Sequence, residues 1–413
     1  MISITKLFCG AESSGDSLRY GVQSDKMPAR QSHSGGTERF LQSFKDKKPI
    51  VVWNMTRRCN LHCIHCYSDS DDKIYKGELT TEQSRKFIED LSEFKIPVLL
   101  FSGGEPLIRK DLFELGEYAK KLGIRIVIST NGTLINADNA KTIREVGFDY
   151  VGISLDGIGS VNDKFRGKQG AFEKAMAGFR NCAAVGQKVG LRLTLTKHNY
   201  RELPAIFDFI EKEKVDRACF YHLVYAGRGS VMSGDDLTKE ESRKAIDYII
   251  ERTIDFHKRG LNKDILTVDN HADAVYIYLK LKKENPKRAE EALKLLIANG
   301  GNSSGISIAN IDNLGNIHPD QFWQTHTFGN IRERKFGEIW MDTTDPVMAK
   351  LKMRAQNGGW VSLRSNFLKG RCGKCKWLDI CNGNFRIRAE AIHSDIWAED
   401  PACYLTEEEI TSR

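Results

Sequence analysis

The chain has 413 residues, 62 Lys and Arg against 55 Asp and Glu, a formal net charge of +7 and 40% hydrophobic residues. That length suits roughly two to three domains, and the apolar fraction suffices for a sizeable core. The slight basic excess makes no case for nucleic acid, no run of about 20 apolar residues argues for a membrane span, and Met1–Lys6 lacks the long apolar stretch of a secretion signal.

Residues 1–48 are rich in Ser, Gly, Gln and charge, and read as a polar N-terminal arm that covers one end of the neighbouring domain. From residue 49 strands and helices alternate. The strands are expected at Pro49–Asn54, Val98–Ser102, Arg125–Thr130, Tyr150–Ser154, Gly190–Thr196 and Arg217–Leu223. Helical patterns lie between them, beginning with the capping box Thr80-x-x-Gln83. They continue through Asp111–Leu122, Asn136–Val146, Ala171–Val185 and Arg201–Lys212. Strands alternating with helices of 10–15 residues predict βαβ units and a parallel sheet. No seventh or eighth strand is legible in register with these, so a full eight-unit barrel is the second choice.

Residues 226–302 change character. Gly227-Arg228-Gly229-Ser230 reads as a hinge-like linker into charged helices at Lys239–Lys258, Ala272–Lys283 and Pro286–Ile297, with Gly300 as a stop. Residues 303–413 begin as a hairpin that turns at Asn313-Leu314-Gly315-Asn316 and end in a cysteine-rich segment.

Seven of the ten cysteines form two clusters. Cys59, Cys63 and Cys66 are spaced C-x3-C-x2-C directly after the first strand. Three thiolates hold three irons of a [4Fe–4S] cube and leave one iron open for a small molecule, whereas electron carriers fill all four corners. A zinc site completed by His62 or His65 fits the spacing equally well. The second apolar run, Val98–Phe101, ends in Ser102-Gly103-Gly104-Glu105-Pro106, a segment that lets backbone approach a ligand and sets a carboxylate beside it. Cys372, Cys375, Cys381 and Cys403 fit either a fully ligated iron–sulfur cluster or structural zinc. Cys182 and Cys219 read as small core residues.

The cysteine loop and the Gly-Gly-Glu-Pro segment, in this order, resemble the radical S-adenosylmethionine (SAM) enzymes. The resemblance implies an α/β fold with a partial (β/α)6 barrel over residues 49–225. It implies a [4Fe–4S] cluster on Cys59, Cys63 and Cys66, and SAM bound at the open iron and cleaved to a 5′-deoxyadenosyl radical. His65 stands at the family's aromatic position. Gly103, Gly104 and Glu105 resemble the segment that binds the SAM amino group, and Ser154-Leu155-Asp156 the segment near its ribose. Asn131, Thr194 and Arg166 lie at or beyond other strand ends, where barrels bind ligands; Arg166 is either a partner for the SAM carboxylate or a solvated side chain.

The hairpin and the C-x2-C-x5-C run resemble the auxiliary-cluster (SPASM or twitch) extension of the same family. This implies a small C-terminal α+β domain over residues 303–413 with a second [4Fe–4S] cluster on Cys372, Cys375, Cys381 and Cys403. Residues 226–302 would bridge it to the barrel. Two-cluster auxiliary domains carry a further cysteine where this chain has His318-Pro319-Asp320, so one auxiliary cluster is expected.

Within the family, His318–Trp323, Gly300–Gly305 and Trp397–Tyr404 are similar to members that modify tetrapyrroles, and the opening residues to the branch that removes acetate side chains. The resemblance implies conversion of the iron tetrapyrrole 12,18-didecarboxysiroheme to Fe-coproporphyrin III. Propionate removal and peptide maturation are the alternatives within the family; a non-catalytic zinc or iron–sulfur protein is the alternative outside it. Such a substrate calls for Arg192, Arg228, Arg332 or Arg334 at its carboxylates. It also calls for an imidazole on its iron, from His318, His326, His222 or His271. His318 is expected to be that ligand, with Trp323 and Phe322 stacked on the macrocycle. A ferredoxin or flavodoxin donor and an anaerobic cytoplasmic setting are implied by the same resemblance.

Overall fold

The computed structural model describes residues 1–21, 48–352 and 366–412. Its centre is a run of parallel strands. These are β2 (Ile50–Asn54), β3 (Val98–Ser102), β4 (Arg125–Thr130), β5 (Tyr150–Ser154), β6 (Val189–Leu195) and β7 (Arg217–His222). Each pairs in parallel with the next. Helices on the outer face connect them, and their starts reflect local chemistry. Thr80 and Gln83 form a complete capping box before helix Thr81–Glu93, and the Asn136 side chain caps helix Ala137–Val146. The expected strands β3, β4 and β5 coincide with those observed.

The sheet does not stop at six. The charged region expected to be wholly helical contains β8 (Asp264–Val268), which pairs in parallel with β7. On the other side β9 (Ile308–Ile311) pairs in parallel with β2 and turns back antiparallel through β10 (Asn316–His318) to β11 (Gly329–Asn330). The polar arm starts as part of the same sheet: β1 (Ile2–Ser3) pairs antiparallel with β8. Helix Ile4–Cys9 comes next, and the Thr5 hydroxyl donates to the Lys263 carbonyl. The arm therefore closes a sheet edge, with Ile2, Ile4 and Leu7 buried. The rest of that arm, residues 22–47, lies outside the described residues. Strand order is β1-β8-β7-β6-β5-β4-β3-β2-β9-β10-β11, an open, curled sheet that is not closed into an eight-strand barrel.

The core fills both faces of β2. Trp53 is fully buried with Phe87 edge-on at 5.4 Å and Phe101 at 5.6 Å. Burying side chains of this size contributes on the order of 1.5–3 kcal/mol each. Cys182 and Cys219 are buried, as expected of core residues. No helix among the described residues is long and apolar enough to cross a membrane.

Candidate active site at the strand ends

The cysteine loop leaves the carboxyl end of β2 and is tied down on every side. The Arg57 amide and the Thr56 hydroxyl donate to Glu78 at 2.8 and 3.0 Å, and the Cys59 amide donates to the Asp71 carbonyl. Arg109 donates to the Met55 and Leu79 carbonyls at 2.7 and 2.8 Å while paired with Asp111. The Gly104 and Glu105 amides donate to the Thr56 and Arg58 carbonyls. A Cβ on Gly103 would collide with the Thr56 carbonyl oxygen, and one on Gly104 with that of Arg58. The two glycines therefore serve close approach of backbone to the cysteine loop, not first to a ligand.

Glu105 has no exposed surface. Its carboxylate accepts from the Thr130 hydroxyl (2.8 Å), the Asn131 amide (2.8 Å) and the Leu107 amide (3.1 Å). Burial nevertheless pushes its pKa up to about 7. The carboxylate thus joins the ends of β3 and β4 rather than standing open beside a ligand. Asn131, fixed by this bond, points its side-chain amide at Asn60 (2.9 Å) and at the Cys59 sulfur (3.8 Å).

Asp156 organises the next strand ends. Its Oδ1 accepts from the Thr194 amide at 2.8 Å; its Oδ2 lies 2.6 Å from Arg166 Nη2 and 3.2 Å from His65 Nε2. Arg166 also donates from Nη1 to the Cys63 sulfur at 3.6 Å. The Ser70 amide donates to the Cys66 sulfur at 3.4 Å. Each of the three loop thiols thus has its own N–H donor. Burial pushes the Cys59 thiol up to about 12 and raises that of Cys63, against the pull of the Arg166 charge. Ser154, at the end of β5, is in register with Arg192 of β6.

Among the described residues, the buried nitrogens His65 Nδ1, Arg166 Nε and Arg228 Nη2 around the loop have no hydrogen-bond partner. Unpaired buried groups of this kind cost about 1–3 kcal/mol each. Anionic sulfides and a carboxylate are the acceptors such a ring suits, so the residues present fit a thiolate-bound iron–sulfur cluster with SAM beside it.

Gly227-Arg228-Gly229 is a brace, not the expected hinge. The Arg228 amide donates to the Cys66 carbonyl, Nε to the Cys63 carbonyl, and Nη1 to Asp69 and the Ser70 carbonyl. A Cβ on Gly227 would strike the Cys66 and Tyr67 carbonyls. Arg228 therefore braces the cysteine loop through Nε and Nη1. Its signal in the sequence was the flanking glycines; Arg109 left none.

The other expected substrate contacts divide. His318 is buried, its Nδ1 2.8 Å from the His326 carbonyl and its Nε2 3.4 Å from Asp312. His222 and His326 each hold a carboxylate, Asp273 at 3.0 Å and Asp345 at 3.2 Å. His271 is buried and stacked on Phe385. Trp323 is 1% exposed and donates to Glu390 at 3.0 Å, so its face is not open for stacking. Phe322 instead packs edge-on against Tyr67 at 5.2 Å. Arg332 binds the Leu314 and Gly77 carbonyls, and Arg334 pairs with Asp342. Arg192 differs. It donates to the Ser129 hydroxyl, and the titratable groups closest to it electrostatically are the phenols of Tyr221 and Tyr150 and the Cys219 thiol, which burial keeps neutral.

Cys372, Cys375, Cys381 and Cys403 line one small, mostly apolar pocket together with Leu378 and Leu405. Among the described residues no three or more His, Cys, Asp or Glu converge closely enough for a single metal ion. Gly301 fits this segment to the sheet: its added Cβ would strike the Cys381 carbonyl, and the Asn302 amide donates there.

A parallel sheet with a three-cysteine loop on its first central strand, buttressed by Gly-Gly-Glu-Pro on the second, places the chain in the radical SAM superfamily, and residues 53–210 match that family. Similarity extends well beyond this segment. The chain is 56% identical to Fe-coproporphyrin III synthase of Methanosarcina barkeri, over 99% of both chains. It is 47% identical to pre-heme d1 synthase of Dinoroseobacter shibae over 87% of each. It is 30% identical to AdoMet-dependent heme synthase of Oleidesulfovibrio alaskensis over 90% of this chain and 92% of that one. The fold is that of Streptococcus suis SuiB bound to S-adenosylmethionine, with a TM-score of 0.65 and 18% identity over 89% of this chain and 81% of that one. The superfamily uses SAM and a [4Fe–4S] cluster.

Proposed function

We propose that the chain removes the two acetate side chains of 12,18-didecarboxysiroheme to give Fe-coproporphyrin III. The observation that carries this reading is the full-length likeness to Fe-coproporphyrin III synthase, which spans barrel, bridging helices and C-terminal cysteines alike. Cys59, Cys63 and Cys66 would hold the catalytic cluster, with His65, Asn131, Asp156, Arg166 and Thr194 framing SAM. When bound, the cluster and SAM supply one-electron cleavage of a C–S bond and with it a hydrogen-abstracting radical. The protein's own part is placement. Glu105 fixes the ends of β3 and β4, Arg109 and Arg228 fix the cysteine loop, and Asp156 joins His65, Arg166 and the end of β6. Arg192, a cation that makes no ion pair among the described residues, suits a carboxylate of the substrate.

The C-terminal cysteines would hold a second [4Fe–4S] cluster, a reading supported by their lining one shared pocket. A ferredoxin or flavodoxin supplies the electron, in an anaerobic cytoplasm. The test is anaerobic reconstitution with iron and sulfide, then SAM, reductant and 12,18-didecarboxysiroheme. Loss of two acetate groups with formation of 5′-deoxyadenosine is expected. Loss of propionates instead moves the chain to the reaction of the pre-heme d1 branch, and deoxyadenosine with an unchanged tetrapyrrole rejects both.

A further inference from the structure

The three loop thiols receive three different donors: a neutral side-chain amide from Asn131, a backbone amide from Ser70 and a full cation from Arg166. The cation is the unusual one. Arg166 ends helix Ser160–Arg166, whose last turn is bonded to the loop: the Ile64 amide donates to the Phe165 carbonyl and the His62 amide to that of Arg166. Gly167, at φ +64, passes so close to the His62 carbonyl that a side chain there would collide with it. The guanidinium is therefore held in place by backbone as well as by its own bonds, and only 7% of the residue is exposed.

We propose that Arg166 sets the reduction potential of the cluster held by Cys59, Cys63 and Cys66, its charge divided between the Cys63 sulfur and the Asp156 carboxylate. Reduction adds one electron to the cluster. A cation against a ligand sulfur favours the reduced form, and hydrogen bonds to sulfur and local charge are established levers on such potentials. Asp156 works the other way. It is 1% exposed and takes part of the Arg166 charge at 2.6 Å, so it limits how far the cation raises the potential. Arginine suits the position because its planar fork reaches two acceptors at once, which an ammonium on a flexible stem does not. Asp156 also accepts from the Thr194 amide and faces His65 Nε2, so the balance is built into the strand ends that frame SAM.

The inference rests on the cluster assignment above, and the experiment separates the two. The reconstituted full chain and its Arg166→Gln, Arg166→Lys and Asp156→Asn variants are titrated potentiometrically, following by electron paramagnetic resonance the cluster signal that SAM perturbs. If the parent chain shows no SAM-perturbed signal, the cluster assignment fails. If it does, Arg166→Gln is expected to shift the midpoint to more negative potential and Asp156→Asn to more positive, with Arg166→Lys between Arg166→Gln and the parent. Iron content per chain equal to the parent's certifies each sample. Should Arg166→Gln not load, Asp156→Asn and Arg166→Lys carry the test with the same expected signs. Midpoints that stay at the parent value in every loaded variant, or that move together in one direction, overturn the proposal.

Discussion

Arg388 and Asp400 form an ion pair in which neither side chain has any exposed surface, with Nη2 and Oδ2 3.0 Å apart. Arg388 spends its remaining donors on the Leu223 and Asp269 carbonyls, just past the ends of β7 and β8. Asp400 accepts from the Phe385 and Ala402 amides, in the segment that carries the C-terminal cysteines. The pair pins that segment to the mouth of the sheet. Removing one partner leaves the other charged and buried, at a cost of about 3–5 kcal/mol. Asp400→Ala and Arg388→Ala are expected to lower the melting temperature markedly, and the double variant to lose less than the sum. Additive losses in a double-mutant cycle would contradict this.

Replacing Cys59, Cys63 or Cys66 with Ala is expected to abolish SAM cleavage while leaving the C-terminal cluster. Iron should fall from about eight to about four per chain, the content of one four-iron cluster. Deoxyadenosine formation by any of the three variants would refute the assignment.

The brace at Arg228 leads to a different outcome. Arg228→Ala frees the Cys63 and Ser70 carbonyls without touching a thiol. Its cluster should assemble but be lost several-fold faster to a chelator, read from the decay of the iron–sulfur absorption band. A rate equal to the parent's would show that the other ties suffice.

Glu105 makes stability depend on pH. Burial raises its folded-state pKa from 4.5 to about 7. Between these values the folded chain holds a proton that the unfolded chain has released, so stability falls as pH rises, by about 1.4 kcal/mol per pH unit for this group. The full effect is present below pH 4.5 and gone above about 7. Glu105→Gln should flatten this part of a urea-unfolding profile of the cluster-free chain between about pH 5 and 7. An unchanged slope would mean that the carboxylate is not the group responsible.

Arg192→Met should raise the KM for the tetrapyrrole by an order of magnitude or more, about 1.4 kcal/mol for each tenfold. SAM cleavage without substrate should persist. Unchanged KM would place the substrate's carboxylates elsewhere.

Much of the barrel was legible because its signals are local. Val98–Ser102, Arg125–Thr130 and Tyr150–Ser154 are apolar runs with clear ends, and the cysteine spacing is visible by eye. β8 was not, because five residues between charged helices carry no distinguishing period; only pairing with β7 and β1 makes Asp264–Val268 a strand. The braces from Arg109 and Arg228 are long-range bonds from side chain to backbone, which no local pattern encodes. His318 and Trp323 mislead for a related reason. Proximity to aromatic neighbours in sequence says nothing about whether a ring faces a cavity or the Asp312 and Glu390 carboxylates.

The pairing of β2 with β9 has a consequence for biogenesis. The strand that launches the cysteine loop is bordered on one side by β3 and on the other by residues 308–311, and Asn310 reaches across to the Val52 carbonyl. During synthesis that second border is missing until three quarters of the chain has left the ribosome. Until then β2 is an edge strand with free backbone donors and acceptors, the kind of edge that recruits other chains, and such distant pairing is slow to form. Iron loaded onto the nascent loop would meet an unfinished pocket. Cluster insertion is therefore expected only once residues 308–311 have paired with β2, and fragments that end before residue 308 should collect in the insoluble fraction.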